Sequence, residues 1–194
     1  MKTAPVWQQI KLADTTPTLW KNGGGTTREL LAWPTSQDWT LRLSVAQVDA
    51  DGPFSRFDDI TRWFAVLAGA GVRLHMPDAG QKHSLDASSS PLAFDGAVAV
   101  DCTLIDGPTQ DFNLMARTAH HTRTGMQRVK GQADWKGTIP ILLAVWANTA
   151  PATLHPQNHA AIHLKPGTLA WAEFDAAQVL AVHGDDALLM EISL

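Results

Sequence analysis

The chain has 194 residues, 45% of them hydrophobic and 18% charged, with a formal net charge of −4. That balance supplies a core for one large domain or two small fused ones, and it offers no basic surplus with which to displace counterions from nucleic acid. Cys102 is the only cysteine, which excludes an internal disulfide and fits a reducing, cytoplasmic setting.

The opening MKTAPVWQQIKLADTTP holds no apolar run of signal-peptide length, and no later segment reads as a membrane span. Residues 6–12 read as a short first strand. Residues 20–30, WKNGGGTTREL, follow. Three consecutive glycines permit positive φ and close approach of another group, and Lys21, Asn22, Thr26, Thr27, Arg28 and Glu29 surround them. Such a loop is either a nest of backbone N–H groups for a small anion or a flexible hairpin loop with solvated charges. Lys21 precedes the glycines and Arg28 stands where a third fingerprint glycine would fall, so neither a Walker loop nor a dinucleotide fingerprint is present.

Residues 26–33 are predicted as a strand closed by Pro34. Residues 39–48 alternate cleanly: Leu41, Leu43 and Val45 share one face, and Thr40, Arg42, Ser44 and Ala46 the other. Residues 60–68 and 72–76 form a predicted hairpin around Gly69-Ala70-Gly71. Arg62 lies on the same face of its strand as Ile60, Phe64 and Val66. A buried arginine needs a carboxylate, supplied either by an internal ion pair or by a ligand. Residues 82–90 read as a polar loop and 97–105 as a strand. In residues 111–117, DFNLMAR, the face of Asn113, Met115 and Arg117 suits a mixed pocket wall or a solvated sheet face. Residues 126–130 and 139–146 are expected strands, 149–158 irregular, and 161–164, 168–174, 179–183 and 187–193 short strands between Gly and Pro turns. The pattern is all-β, a sandwich or barrel, with no amphipathic helix beyond three turns.

The histidines offer one periodic set, His155, His159 and His163, but Pro156 and the strand-like AIHL oppose the helix that would align them for zinc. No Gly-x-Ser-x-Gly elbow is present, and Cys102 reads as a packed thiol. Glu29 beside Arg28 or Lys21 would serve either as a general base near an oxyanion site or as part of a binding site for a zwitterion or dicarboxylate. Neighbours on a strand point to opposite faces, so only one of Arg28 and Glu29 can enter a cavity.

Taken together, WKNGGGTTREL, RLSVAQVDADGPFSRF, ITRWFAVLAG and DFNLMAR resemble the HutD/Ves family from about residue 19 to 117, more weakly from LKPGTLAW onward. The resemblance implies a cupin-like double β-barrel, a bicupin of the RmlC-like jelly-roll kind. Residues 1–118 would form the barrel carrying the pocket and 119–194 a second cupin-like unit. It also implies no cofactor and no metal ligands. The HutD branch is associated with histidine catabolism and the binding of a product such as N-formylglutamate; the Ves branch is described as stress-induced. The expected function is small-carboxylate binding with an accessory or regulatory role, in a soluble protein that forms a homodimer and engages neither nucleic acid nor membrane. The alternative is a metal-independent hydrolase or isomerase with Glu29 as base. The expected ligand-binding set is Lys21, Asn22, Arg28, Glu29, Arg42, Ser44, Phe54, Ser55, Arg62, Asn113, Met115 and Arg117, with no catalytic residue. One departure from the family pattern is Asp58-Asp59 in place of Pro-Gly, where a changed turn and two carboxylates are expected to weaken anion binding.

Overall fold

The computed structural model describes residues 5–194. Residues 1–4, the start of the stretch read as free of a signal sequence, lie outside the described residues. In chain order the strands are β1 (Gln8–Lys11), β2 (Thr18–Leu19), β3 (Gly25–Pro34), β4 (Trp39–Val48), β5 (Gly52–Pro53) and β6 (Ile60–Ala68). Next come β7 (Val72–Met76), β8 (Gln81–Leu85), β9 (Leu92–Asp95), β10 (Asp101–Leu104), β11 (Thr109–Arg117) and β12 (Thr124–Lys136). The last are β13 (Ile141–Ala147), β14 (Ala152–Pro156), β15 (Ile162–Leu164), β16 (Thr168–Phe174) and β17 (Val179–Ser193). Among the described residues the only helical turns are the short 3-10 segments Leu12–Asp14 and Pro77–Ala79, so the all-β class holds. No helix among them is long and apolar enough to cross a membrane.

The chain separates into two compact units. One is Thr15–His120. Its six-stranded sheet runs β2-β3-β4-β11-β6-β9, and its four-stranded sheet runs β5-β10-β7-β8. Phe64, Val66, Val72, Leu74, Met76, Val100 and Cys102 form a buried cluster here. The central strands β4, β11 and β6 are antiparallel and carry alternating residues, so each presents every second side chain to the same face.

The other unit joins the described N-terminal residues, 5–14, to residues 121–194. Its sheet runs β1-β16-β13-β17-β14-β15, with β12 also paired to β17. Residues 8–14 therefore group with the C-terminal strands rather than with residues 15–120. Gln8–Lys11 completes the edge of β16, with Gln8 opposite Trp171, and the Leu12 amide donates to the Gly167 carbonyl at 2.9 Å. Ile141, Leu143, Val145, Leu154, Phe174, Leu180, Val182 and Leu189 belong to its core.

Several boundaries differ from the sequence reading. Residues 179–183 and 187–193 are one strand, because β12 pairs along nearly its whole length and absorbs the Gly-Asp-Asp break in a bulge between Val129 and Gly131. Gly131 has φ +89° there. The stretch expected to be irregular contains β14, and the expected polar loop contains β8, an edge strand whose sequence QKHSL carries few apolar residues. The strand expected over 97–105 shortens to β10, and β9 is an additional edge strand.

Candidate functional site

Cross-strand register assembles the site. Arg42 on β4, Met115 on β11 and Arg62 on β6 stand in one row; Ser44, Asn113 and Phe64 form the next, and Ala46, Asp111 and Val66 the one after. The opposite face of β4 carries the buried Leu41, Leu43 and Val45. A cavity of about 720 Å³ opens above the polar rows. Its wall includes Leu19, Trp20, Lys21, Asn22, Thr27, Arg42, Ser44, Pro53, Phe54, Ser55, Phe57, Arg62, Phe64, Asn113 and Met115. Its charged lining residues are Lys21, Arg42 and Arg62, all cationic.

Arg62 is only 7% exposed. One terminal nitrogen donates to the Ser55 carbonyl at 3.2 Å and the other to Asn113 Oδ1 at 3.1 Å. Its guanidinium carbon lies 5.1 Å from the Phe94 ring centroid, 5.3 Å from Phe54 and 5.8 Å from Phe57. Nε is buried and has no hydrogen-bond partner. The ion pairs found among the described residues involve Arg42, Arg56 and Arg123, not Arg62. Burial first, and the charge of Arg42 second, push the Arg62 guanidinium down to about 10. Of the two roles foreseen for Arg62, the internal ion pair is absent. Aromatic faces and neutral oxygens hold the cation instead, each ring contributing about 0.5–2 kcal/mol.

The glycine loop is a structured rim. The Gly23 amide donates to the Trp20 carbonyl at 3.0 Å, and the Gly24 amide donates to Asn22 Oδ1 at 3.1 Å. Two donors of the expected anion nest are thus consumed inside the loop, and Trp20, Lys21 and Asn22 line the cavity. A Cβ on Gly25 would lie 2.2 Å from the Gln47 carbonyl oxygen and 3.1 Å from the Trp20 ring. Only glycine permits that approach. The Trp20 indole N–H donates to Thr27 Oγ1 at 2.8 Å and fixes the ring.

Three expected ligand residues lie off the cavity wall. Arg28 pairs in register with Val45, on the opposite face, and donates to the Thr15 carbonyl. Glu29 pairs with Ser44, on the cavity side, but its carboxylate is engaged: Oε2 lies 3.1 Å from Arg42 Nε, and Oε1 accepts from Ser36 Oγ at 2.9 Å. The contact with Arg42 is at ion-pair distance without hydrogen-bond alignment, since Arg42 Nε also stands without a hydrogen-bond partner. A bulge between Glu29 and Leu31 sets this placement. Arg117 caps Trp39, donating from Nε to its carbonyl at 3.1 Å with its guanidinium 5.8 Å from the ring. Lys21, Asn22, Arg42, Ser44, Phe54, Ser55, Arg62, Asn113 and Met115 all line the cavity.

The expected ligand-binding set omits Phe57 and Phe94, and also Asp111, which the family-like DFNLMAR motif includes. Phe94 stands opposite Arg62 on β9, inside a stretch without strand signals. Asp111 is fully buried on the same face as Asn113. One carboxylate oxygen accepts from Thr109 Oγ1 at 2.9 Å and the other has no partner. Burial pushes its carboxyl up to about 7, against the opposing pull of that hydrogen bond. Burial, with the charges of Asp111 and Asp51, pushes the Cys102 thiol up to about 12, as suits an unreactive core thiol. Among the described residues, no three His, Cys, Asp or Glu side chains are grouped so as to hold a metal ion. His155 and His163 lie on separate strands, and His155 stacks edge-on against His183 at 4.9 Å. Asp58 and Asp59 are exposed and absent from the cavity wall. Asp59 adopts φ 60°, a left-handed turn that glycine would take without strain.

The sequence model of the HutD family matches residues 12–190. Protein Ves of Escherichia fergusonii is 36% identical over 101 residues, 51% of this chain and 52% of the relative. An uncharacterized 21.2 kDa protein in the hutC 3' region of Pseudomonas putida is 37% identical over 98 residues, 50% of each chain. The chain spans about half the length of the curated relatives it matches. Among solved structures, HutD of Pseudomonas fluorescens SBW25 superposes with a TM-score of 0.81 at 27% identity, covering 97% of this chain and 98% of that one. A conserved protein of unknown function from Pseudomonas aeruginosa PAO1 gives 0.83 at 28%, with the same coverage. A mutant of Bacillus subtilis oxalate decarboxylase gives 0.59 at 10%, covering 100% of this chain and 78% of that one, a likeness of cupin-like fold alone.

Proposed function

The chain belongs to the HutD family, and from that premise we propose that it binds a small carboxylate metabolite in the arginine-lined cavity and has an accessory, regulatory role in histidine utilisation. N-formylglutamate is the leading candidate ligand, and the cytoplasm the expected compartment. We read the two units as the two barrels of a bicupin, with Thr15–His120 carrying the site.

The observation that carries this reading is Arg62. It is buried and uncompensated by any carboxylate, with a free Nε, in a cavity whose charged lining residues are all cationic. Burying a cation without a counter-charge costs several kcal/mol, so the wall is built to gain from an arriving anion. Each charge-assisted hydrogen bond contributes roughly 1.5–3 kcal/mol. Asn113, Ser44, Asn22 and Lys21 are placed to fix the rest of the ligand, and Phe54, Phe57, Phe64 and Met115 to cover its carbon chain.

Thermal-shift and calorimetric titration with N-formylglutamate, formiminoglutamate, urocanate, glutamate and histidine tests the reading. A true ligand at about 100 times its dissociation constant stabilises the fold by roughly 2.7 kcal/mol. Arg62→Met is expected to weaken that ligand roughly 30- to 100-fold. A protein that responds to none of the five removes the histidine-pathway role. Undiminished binding by Arg62→Met removes Arg62 from the site. One feature favours the enzymatic alternative: the register turns Glu29, not Arg28, to the side of Arg42. Turnover of a bound metabolite that vanishes in Glu29→Gln would decide for it.

A further inference from the structure

The two arginines of the cavity are held differently. Arg62 is fixed by a carbonyl, an amide oxygen and three aromatic rings, and no carboxylate competes for it. Arg42 stands across Met115 from Arg62, and its charge reaches that residue. Its side chain is a quarter exposed, and its carboxylate contact is Glu29. That pair sits at 3.1 Å but is misaligned as a hydrogen bond, and a second oxygen of Glu29 is claimed by Ser36. One cation of the cavity therefore awaits an anion, and the other already holds a loosely seated one.

We infer that Glu29 is a resident stand-in for the second carboxylate of a dianionic ligand, and that its displacement from Arg42 sets the cavity's preference for dianions over monoanions. This rests on the anion-binding reading above. A monoanion takes Arg62 and leaves the Arg42–Glu29 pair intact. A dianion takes Arg62 with one end and must exchange with Glu29 for Arg42 at the other. A partly exposed ion pair contributes at most about a fivefold factor, so the exchange is feasible, and the competitor lowers dianion affinity by a similar factor. Glu29 is thus a specificity-determining residue that needs no place on the cavity wall.

The test compares glutarate with butyrate, which lacks one carboxylate, by calorimetry at fixed pH and ionic strength. In Glu29→Gln, glutarate is expected to bind roughly three- to fivefold tighter, while butyrate changes less than about twofold. Ser36→Ala, which frees Glu29 to settle on Arg42 without altering charge, is expected to weaken glutarate about twofold and leave butyrate unchanged. Glu173→Gln, which removes an exposed carboxylate from the other unit, should change neither. Weaker glutarate binding in Glu29→Gln overturns the inference, because Glu29 would then serve only to position Arg42. Equal tightening of both anions also overturns it, as a net-charge effect. Should Glu29→Gln not fold, an unchanged glutarate-to-butyrate ratio in Ser36→Ala is decisive against it. Wild-type protein that binds neither anion removes the cavity reading itself, whereas binding of both with a ratio insensitive to Glu29 removes this inference alone.

Discussion

The two units are built from the same kind of curled antiparallel sheet, yet one is filled and the other hollow. In the unit containing His121–Leu194, inward positions carry Ile141, Leu143, Val145, Phe174, Val182 and Leu189. Trp135 packs edge-on against Phe174 with centroids 5.4 Å apart and donates its indole N–H to Glu191 at 3.0 Å. Glu191 in turn pairs with Arg123 at 3.2 Å. In Thr15–His120 the corresponding kind of position carries Arg42, Ser44, Arg62, Asp111 and Asn113, and Arg62 has no carboxylate. Where the interior is aliphatic and the arginine is paired, the sheet is a scaffold. Where polar groups replace the aliphatics and the arginine is unpaired, open space and an uncompensated cation remain.

Core truncation should expose the contrast most sharply. Leu143→Ala, in the filled unit, is expected to cost about 3–5 kcal/mol, because it adds a cavity to the lost transfer energy. Met115→Ala, beside space that already exists, should cost only about 1–2 kcal/mol, because it opens little new void. Urea denaturation of both variants measures the difference; equal losses would mean that the hollow unit is packed as tightly as the filled one.

Asp111 gives the next effect. Its folded-state carboxyl is raised to about 7, above the ordinary aspartate value. The folded state thus holds a proton that the unfolded chain has released. Stability should fall as pH rises from the ordinary aspartate range to about 7 and level off above it. Asp111→Asn keeps the Thr109 contact and removes the charge. It is expected to raise stability at pH 8 by roughly 2–3 kcal/mol, to change little at pH 4, and to flatten the profile between. A wild-type profile that rises across that window would show that Asp111 is ionised and paired in solution.

The smallest effect concerns the turn before β6. Asp59→Gly relieves the left-handed backbone and should stabilise by about 0.5–1 kcal/mol. Asp58 and Asp59 are absent from the cavity wall, so ligand affinity should stay within about twofold. Tighter binding in Asp59→Gly would restore the sequence-based expectation that these carboxylates weaken anion binding.

Much of this was legible in the chain itself, because strand alternation is local. A period of two put Arg62 with Phe64 and Val66, Arg42 with Ser44, and Asn113 with Met115, whatever those strands paired with. The all-β class and most strand cores follow from the same signal. Weakly apolar edge strands such as Gln81–Leu85 and Leu92–Asp95 were not legible, since pairing rather than composition makes them strands. Nor did Gly-Asp-Asp reveal that it is spanned by one continuous strand.

Only tertiary structure decided the remainder, because register is a property of two strands at once. It set Arg42, Met115 and Arg62 in one row and Phe94 opposite Arg62. A one-residue bulge after Glu29 determined which charges of the loop strand meet the cavity side, and sent Arg28 to the Thr15 carbonyl. The decision of most functional weight was which arginine received a carboxylate. Arg42 and Arg123 did and Arg62 did not, and no local pattern encodes that, since an ion pair depends on where distant backbone segments bring their side chains.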